Sequence, residues 1–346
     1  MSSQSARSVD PERQLGDVDG IRPRNLDEFV GQRAVVDNLR VYIEAARSRE
    51  EPLDHVLLSG MPGLGKTTLA HLMSEELGCG FRATSGPVLE KAKDLVGLLT
   101  DLQDGDVLFI DEIHRVSHVV EEYLYPAMED FCIDIMIDTG PNARSVKIHL
   151  PRFTLIAATT REGNLTAPFR ARFGIQEKLE PYPADEMKTI LMRSAGILNV
   201  SLTGEGAELL SSRCRGTPRI ANRYLRRVRD FVEVQKLAAI DGPAAEAGLR
   251  RLGVDDQGLD QLDRRILEIV GRSSGTPVGV KTISVSVGED ERTIEDVYEP
   301  YLIRMGFLVK TPRGRMLGPK AGGSAPESLG PLFDDAIAED NGEGSL

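Results

Sequence analysis

The sequence predicts an α/β fold built on a parallel sheet, followed by an all-helical stretch and a small helical unit that closes in a hairpin. Three observations predict it. Between about residues 25 and 180, short apolar runs alternate with helical patterns: "HVLLSG" then "KTTLAHLMSEELG", later "DVLFID" and "FTLIAATT". Strand followed by helix, repeated, requires parallel strands with helices on the sheet faces. From 185 to 252 the pattern is wholly helical, broken by Gly-Thr-Pro at 216–218. From 259 a third unit reads as a helix (259–270), a short helix near 280–286, a helix at 291–305, and then "FLVKTPRGRML". Pro312 and Gly314 place a turn between the two apolar ends of that last stretch, which makes it a hairpin.

The chain has 346 residues, enough for two or three domains. Hydrophobic residues at 40% and charged residues at 28% are the balance of an ordinary soluble protein. The three cysteines, Cys79, Cys132 and Cys214, are odd in number and far apart. That excludes a disulfide framework and a cysteine-based zinc site, and fits a reducing compartment. "MSSQSARSVDPERQLGDVDG" has no apolar core for a signal peptide, and no run approaches the 18 apolar residues of a membrane span. A cytoplasmic protein without membrane contact is expected. Residues 1–20 and 321–346 hold few large apolar side chains and are expected to be disordered tails. A net charge of −12 argues against nucleic acid, unless a basic face is local.

Two motifs carry chemistry. "GMPGLGKT" (60–67) fits G-x-x-x-x-G-K-[ST] after a strand and at the start of a helix. Glycines such as Gly63 and Gly65 let backbone N–H groups turn inward around phosphate oxygens, at a helix end that favours anions. Lys66 is placed to reach the outer phosphates, and Thr67 to offer its hydroxyl to magnesium. "VLFIDEIH" (107–114) is an apolar strand that ends in two carboxylates. Unpaired charges are costly to desolvate, so a cation is expected beside them. Asp111 suits the shell of a magnesium ion, and Glu112 suits activation of a water that attacks the outer phosphate. Thr160, where "FTLIAATT" closes, is placed to orient that water. His114 is read as structural.

With these residues in order, the chain resembles the AAA+ ATPases and, more narrowly, the RuvB family of Holliday-junction branch-migration motors. The resemblance covers about residues 21–318. It rests on "IRPRNLDEFVGQ" (21–32), "GMPGLGKTTLA" (60–70), "TSGPVLEKAKDL" (84–95), "VLFIDEIHR" (107–115), "EEYLYPAMEDF" (121–131), "TLIAATTREGNLTAPFRARFG" (154–174), "RGTPRIANRYLRRVRDF" (215–231) and the "TIEDVYEPYLI", "GFL" and "TPRGRM" runs of 293–316. It implies an AAA+ P-loop NTPase domain (21–184), a helical lid (185–255) and a C-terminal winged-helix head (256–320), assembled as a hexameric ring around DNA and driven by ATP with Mg2+. It also implies that Arg172 acts in trans on the nucleotide of the next subunit, with Arg170 the weaker candidate. By the same resemblance, Arg219 is expected to touch the outer phosphate in cis, Ile21, Arg22 and Tyr182 to hold the adenosine, and Thr68, Glu129, Asp130 and Phe131 to complete the nucleotide contacts.

Seven arginines crowd residues 213–229, with no acid before Asp230. They read as a lid face that meets acids of the next subunit, with DNA contact as the alternative. In the head, no Asp or Glu falls between Tyr301 and Pro326, whereas Lys310, Arg313 and Arg315 do. A hairpin carrying those charges, with Arg292 nearby, grips phosphates without reading bases. Duplex DNA and four-way junctions are the expected partners. In "FCIDIMIDTGPNARSVKIHL" (131–150), Phe131, Ile133, Ile135 and Ile137 alternate before a "DTGPN" turn, and Val146, Ile148 and Leu150 alternate after it. The hairpin either folds onto the core or exposes an apolar strip; the resemblance implies that it docks a RuvA-like junction-binding protein, with a RuvC-like resolvase as a further partner. A clamp-loader-like switch and a protein remodeller are the rival classes; the "TPRGRM" head is not expected of the first, and the second would respond to a protein substrate rather than to DNA.

Overall fold

A computed structural model describes residues 20–136, 145–273 and 275–322, which fall into two compact units that divide between Gly258 and Leu259. In the first, helix α1 (Arg33–Arg49) precedes strand β1 (Val56–Ser59), followed by α2 (Lys66–Leu77), β2 (Phe81–Ser85), α3 (Ala92–Thr100), β3 (Val107–Asp111) and α4 (His118–Glu129). A hairpin of β4 (Cys132–Met136) and β5 (Ser145–His149) leads to β6 (Thr154–Thr159), the short α5 (Ala167–Arg170) and β7 (Ile175–Lys178). Five strands form one sheet in the order β2-β3-β6-β1-β7, and every pair in it is parallel. The expected parallel α/β sheet is present. Its edge strands, "FRATS" and "IQEK", are too polar to stand out in the sequence.

Central strands are buried on both faces, and successive side chains serve different layers. Leu58, Phe109, Ile156 and Ala158 pack with Leu39 and Ile43 of α1 and with Leu69 and Met73 of α2. Leu57, Leu108, Ile110, Leu155 and Ala157 pack with Leu95 and Leu99 of α3 and with Val120 and Leu124 of α4. The parallel topology sends β1, β3 and β6 out of the sheet on one edge, where Gly60, Glu112 and Thr160 follow them. Ligand sites in such sheets lie beyond the carboxyl ends of the strands.

Four helices follow: α6 (Ala184–Ile197), α7 (Gly204–Arg213), α8 (Pro218–Gln235) and α9 (Gly242–Arg251). Their core residues Leu191, Leu210, Leu225 and Leu249 belong to the same apolar cluster as α1 and α2, which joins this lid to the sheet as one unit. Helix α8 starts where Gly216, Thr217 and Pro218 break the pattern, and it buries Ala221, Tyr224, Leu225, Val228 and Val232 on one stripe.

The hairpin of β4 and β5 is antiparallel, with Ile133 opposite Ile148 and Ile135 opposite Val146. Cys132, Ile133 and Leu150 are buried at its base, whereas Val146 is 42% exposed. Each sequence reading of it holds for one part. Ile137 and the "DTGPN" turn lie outside the described residues, as do the two expected tails, apart from Gly20 and residues 321–322.

The second unit has α10 (Gln261–Arg272), α11 (Val280–Val287), α12 (Glu291–Thr293), α13 (Glu299–Arg304) and a hairpin of β8 (Leu308–Thr311) with β9 (Gly314–Leu317). A bridge from Val278 to Arg315 adds a third extended segment beside the hairpin. Ile266, Ile283, Ile294, Leu302 and Leu308 form its core. The single helix expected at 291–305 is interrupted by a wide turn over Ile294–Tyr298, in which the Glu299 N–H bonds to the Ile294 carbonyl. Pro300 has no N–H with which to continue the narrower ladder.

His55 fastens the layers of the first unit. Its Nδ1 accepts the Leu155 N–H at 2.9 Å, so Nε2 carries the ring hydrogen and donates to the Met128 carbonyl at 3.1 Å. Burial pushes its pKa below the usual histidine value. The unfolded chain therefore takes up a proton here more readily than the folded one. This contribution to stability is complete above the unfolded-state pKa and is lost as pH falls through about 6.5 toward the lower folded value. The thermal midpoint of the protein should fall more steeply between pH 7 and pH 5 than that of a His55→Gln variant, as read by circular dichroism.

Candidate active site

The loop from β1 to α2 is held from two sides. Gly63 and Gly65 sit at φ +80° and +103°, in the region that disfavours a side chain. A Cβ on Gly63 would lie 2.8 Å from Cβ of Arg219, and one on Gly65 would lie 3.3 Å from the Phe29 ring. The loop therefore has the lid on one side and the N-terminal segment on the other. Lys66, the first residue of α2, is buried and donates from Nζ to the carbonyls of Gly60 (2.7 Å) and Met61 (3.0 Å). Thr67 and Thr68 follow in the first turn, half-buried. Arg219 is the second residue of α8; its N–H reaches the Gly63 carbonyl at 3.4 Å, and the residue is exposed at the edge of the loop.

Strand β3 delivers Asp111, whose Oδ1 accepts the Glu112 N–H at 2.8 Å. Glu112 itself takes φ +49°, a left-handed conformation that costs a non-glycine residue about 1–2 kcal/mol. The Thr160 hydroxyl donates to Glu112 Oε2 at 3.1 Å. The same oxygen lies 3.2 Å from Nδ1 of His114, and that nitrogen is 3.0 Å from Thr159 Oγ1. His114 thus belongs to the carboxylate's surroundings. The sequence reading set it aside because its neighbours come from another strand.

On the far side of the loop, Ile21 is buried and Arg22 half-buried. Tyr182 is buried and donates its hydroxyl to the Leu64 carbonyl at 3.2 Å. Burial, and then the charge of Glu186, raises the Tyr182 pKa above the usual range, so the group stays a donor. Arg193 of α6 was not singled out from the sequence. Its guanidinium donates to the carbonyls of Ile21 (2.6 Å) and Arg22 (3.3 Å) and pairs with Glu28 at 2.7 Å. It fastens the N-terminal segment to the lid. A lone arginine on a helix gives no sequence signal for such a role.

Arg172 gathers a second group. It donates from Nη1 to the Pro168 carbonyl at 2.7 Å, pairs through Nε with Glu129 at 3.1 Å, and lies 4.1 Å over the Tyr125 ring. Arg170 lies 3.6 Å from Glu162. Asp130 is exposed beside Glu129. Phe131, at φ +49°, sets its ring edge-on to Phe153 with centroids 5.9 Å apart. The contacts of Arg172 run to α4 and α5, and those of the phosphate loop run to Phe29, Thr217 and Arg219.

In the second unit, Arg313 and Lys310 are exposed on the hairpin, and Arg292 is exposed on α12. Arg315 departs from the expectation of a phosphate-facing charge. It is 7% exposed, and its guanidinium pairs with Glu299 (2.5 and 3.1 Å) and with Glu295 (2.8 Å). Lys310 Nζ lies 3.6 Å from each of these carboxylates. Both acids precede the acid-free window of the sequence and meet the hairpin only in three dimensions. The lid arginines are likewise engaged within the chain: Arg213 with Glu246 and the Asp255 carbonyl, Arg215 with the Gly258 carbonyl, and Arg227 and Arg229 with Asp230. Among the described residues, no helix is long and apolar enough to cross a membrane.

A phosphate loop, an acidic strand end and a lid arginine in one unit, with a winged helix in the next, define an AAA+ P-loop nucleoside triphosphatase. Residues 21–179 match the Holliday junction DNA helicase RuvB P-loop domain, residues 182–255 the RuvB AAA lid domain, and residues 256–323 the RuvB C-terminal winged helix domain. The chain belongs to the RuvB family. It is 61% identical over 297 residues to the Holliday junction branch migration complex subunit RuvB of Myxococcus xanthus, covering 86% of this chain and 87% of that one. Identity to the subunit of the same name from Chlorobium luteolum is 57% over 304 residues, 88% of each chain. Among solved structures, the Thermotoga maritima RuvB Holliday junction branch migration motor superposes with a TM-score of 0.80 at 46% identity, over 88% of this chain and 99% of that one.

Removing Arg315 takes away the hydrogen-bonded partner of buried Glu299 and leaves it the exposed Lys310, 3.6 Å away. Arg315→Ala should cost about 3–5 kcal/mol in the winged-helix unit, whereas Arg313→Ala should stay within about 0.5 kcal/mol. Urea unfolding of the two variants checks this.

Proposed function

We propose that this chain is the ATP-hydrolysing motor of a Holliday-junction branch-migration complex. The observation that carries the reading is the seating of Arg219 and Thr217 of the lid against Gly63 of the phosphate loop, in a chain so similar to branch-migration subunits. A change at the phosphates is thereby felt at the lid. Lys66, with the backbone of Gly63 and Gly65 and the side chains of Thr67 and Thr68, binds the phosphates. Ile21, Arg22 and Tyr182 enclose the adenosine. The oxygen donors of Thr67 and Asp111 suit Mg2+, which neutralises phosphate charge when bound. Glu112 takes the proton of the attacking water, and Arg219 contacts the outer phosphate in cis.

Arg172 completes the site of the next subunit, together with Glu129, Asp130 and Phe131. Their grouping apart from the contacts of the chain's own phosphate loop supports this reading, and with it a hexameric ring. Arg313, Lys310 and Arg292 meet duplex phosphates. The exposed Val146 on the hairpin supports docking of a RuvA-like protein, and a RuvC-like resolvase completes the expected cytoplasmic assembly. The deciding experiment is migration of a synthetic four-way junction by the purified chain with ATP, Mg2+ and a RuvA-like partner. ATPase activity indifferent to DNA and to that partner would overturn the reading.

Lys66→Ala should abolish binding of a fluorescent ATP analogue, whereas Glu112→Gln should bind it and fail to hydrolyse. Arg172→Ala should bind nucleotide normally and lose about 10³-fold or more in rate, as for arginines that act in trans on phosphoryl transfer. Mixing Arg172→Ala with Lys66→Ala chains, once subunit exchange is shown by energy transfer, should restore part of the ATPase. An arginine acting in cis gives no rescue.

A further inference from the structure

We propose that His114 is a positioning residue for Glu112, holding the water-activating carboxylate in place by donating from Nδ1 to Oε2. The inference rests on the reading of Glu112 as the base. Two residues after Glu112, the chain makes a tight turn over Ile113–Arg115, which brings the imidazole back toward the carboxylate. The side chain of His114 is 8% exposed, and Nδ1 lies between two oxygens, Glu112 Oε2 at 3.2 Å and Thr159 Oγ1 at 3.0 Å. An ionised carboxylate only accepts hydrogen bonds, so a bare nitrogen at that distance would repel it. Nδ1 therefore carries the hydrogen. The Thr160 hydroxyl donates to the same Oε2 from the end of β6, and Nδ1 approaches it within 3.2 Å. With the imidazole hydrogen directed to that oxygen, the carboxylate is held about its last torsion from both flanking segments and Oε1 is left to receive the proton.

Thr159 adds a further constraint. Its Oγ1 already accepts the Arg161 N–H at 3.0 Å, so the Nδ1 hydrogen meets one oxygen that is engaged and one that is anionic. Hydrogen bonds to a charged acceptor are the stronger kind. Glu112 is thus the favoured partner, and β6 and β3 are joined through the imidazole at the point where the proton transfer takes place.

The test uses the full chain. His114→Leu removes the donor, whereas His114→Asn keeps an amide N–H near the position of Nδ1. His114→Leu should lower kcat about 10- to 100-fold, the loss expected for one hydrogen bond to a charged group. KM and the affinity for a fluorescent ATP analogue should stay within about twofold, and His114→Asn should recover most of the rate. Added to Glu112→Gln, His114→Leu should lower the residual single-turnover rate no further. Wild-type kcat in His114→Leu, equal loss in the Asn variant, or loss of nucleotide binding would each overturn the proposal. Should His114→Leu not fold, His114→Phe keeps the ring volume without the donor and is judged by the same criteria. Glu112→Gln alone separates the two readings: wild-type hydrolysis there defeats the assignment of the base itself.

Discussion

The close approach of Gly63 to the lid is the constraint on which the first unit depends. With Cβ of Arg219 and Cγ2 of Thr217 about 3 Å from where a Gly63 side chain would begin, the loop has no room to relax independently of α8. Helix α8 in turn is seated by a buried stripe that merges with the core over the sheet. The phosphate loop, the lid and the upper sheet therefore share one packing solution. Close-packed interiors leave little free space, so a side chain at Gly63 would have to displace the start of α8.

Legibility in the sequence followed the range of the interaction. Strands buried on both faces, the glycine spacing and the apolar run ending in Asp111 and Glu112 are local signals, and the sheet and the phosphate loop were readable from them. Edge strands β2 and β7 were not, because they are short, polar and only partly buried. Contacts between segments distant in sequence were invisible as well. Arg193 meets carbonyls more than 170 residues away, and His114 meets Thr159 across 45. Arg315 is the clearest case. A window free of acids in the sequence is no window in space, and Glu295 and Glu299 enter it from the preceding helix.

These pairings also qualify how an acidic chain presents a basic surface. Several arginines of the lid, and Arg315 of the hairpin, are engaged by carboxylates of the same unit, while Arg292, Lys310, Arg313 and Lys320 stay exposed in the winged-helix unit. Each cation displaces counterions from DNA, and affinity scales steeply with their number.

His55 has a wider consequence. Its ring joins the last turn of α4, through the Met128 carbonyl, to β6, through Leu155, while its own carbonyl accepts the Ile175 N–H of β7. Glu129, which pairs with Arg172, is the next residue along α4. Through Glu129 and α4, Arg172 is therefore tied to β6 and β7, the two strands that flank β1 and its phosphate loop. Such a mounting leaves little slack: a shift of the strands beside the phosphate loop would reach Arg172 through packed side chains and hydrogen bonds rather than along a free segment of chain.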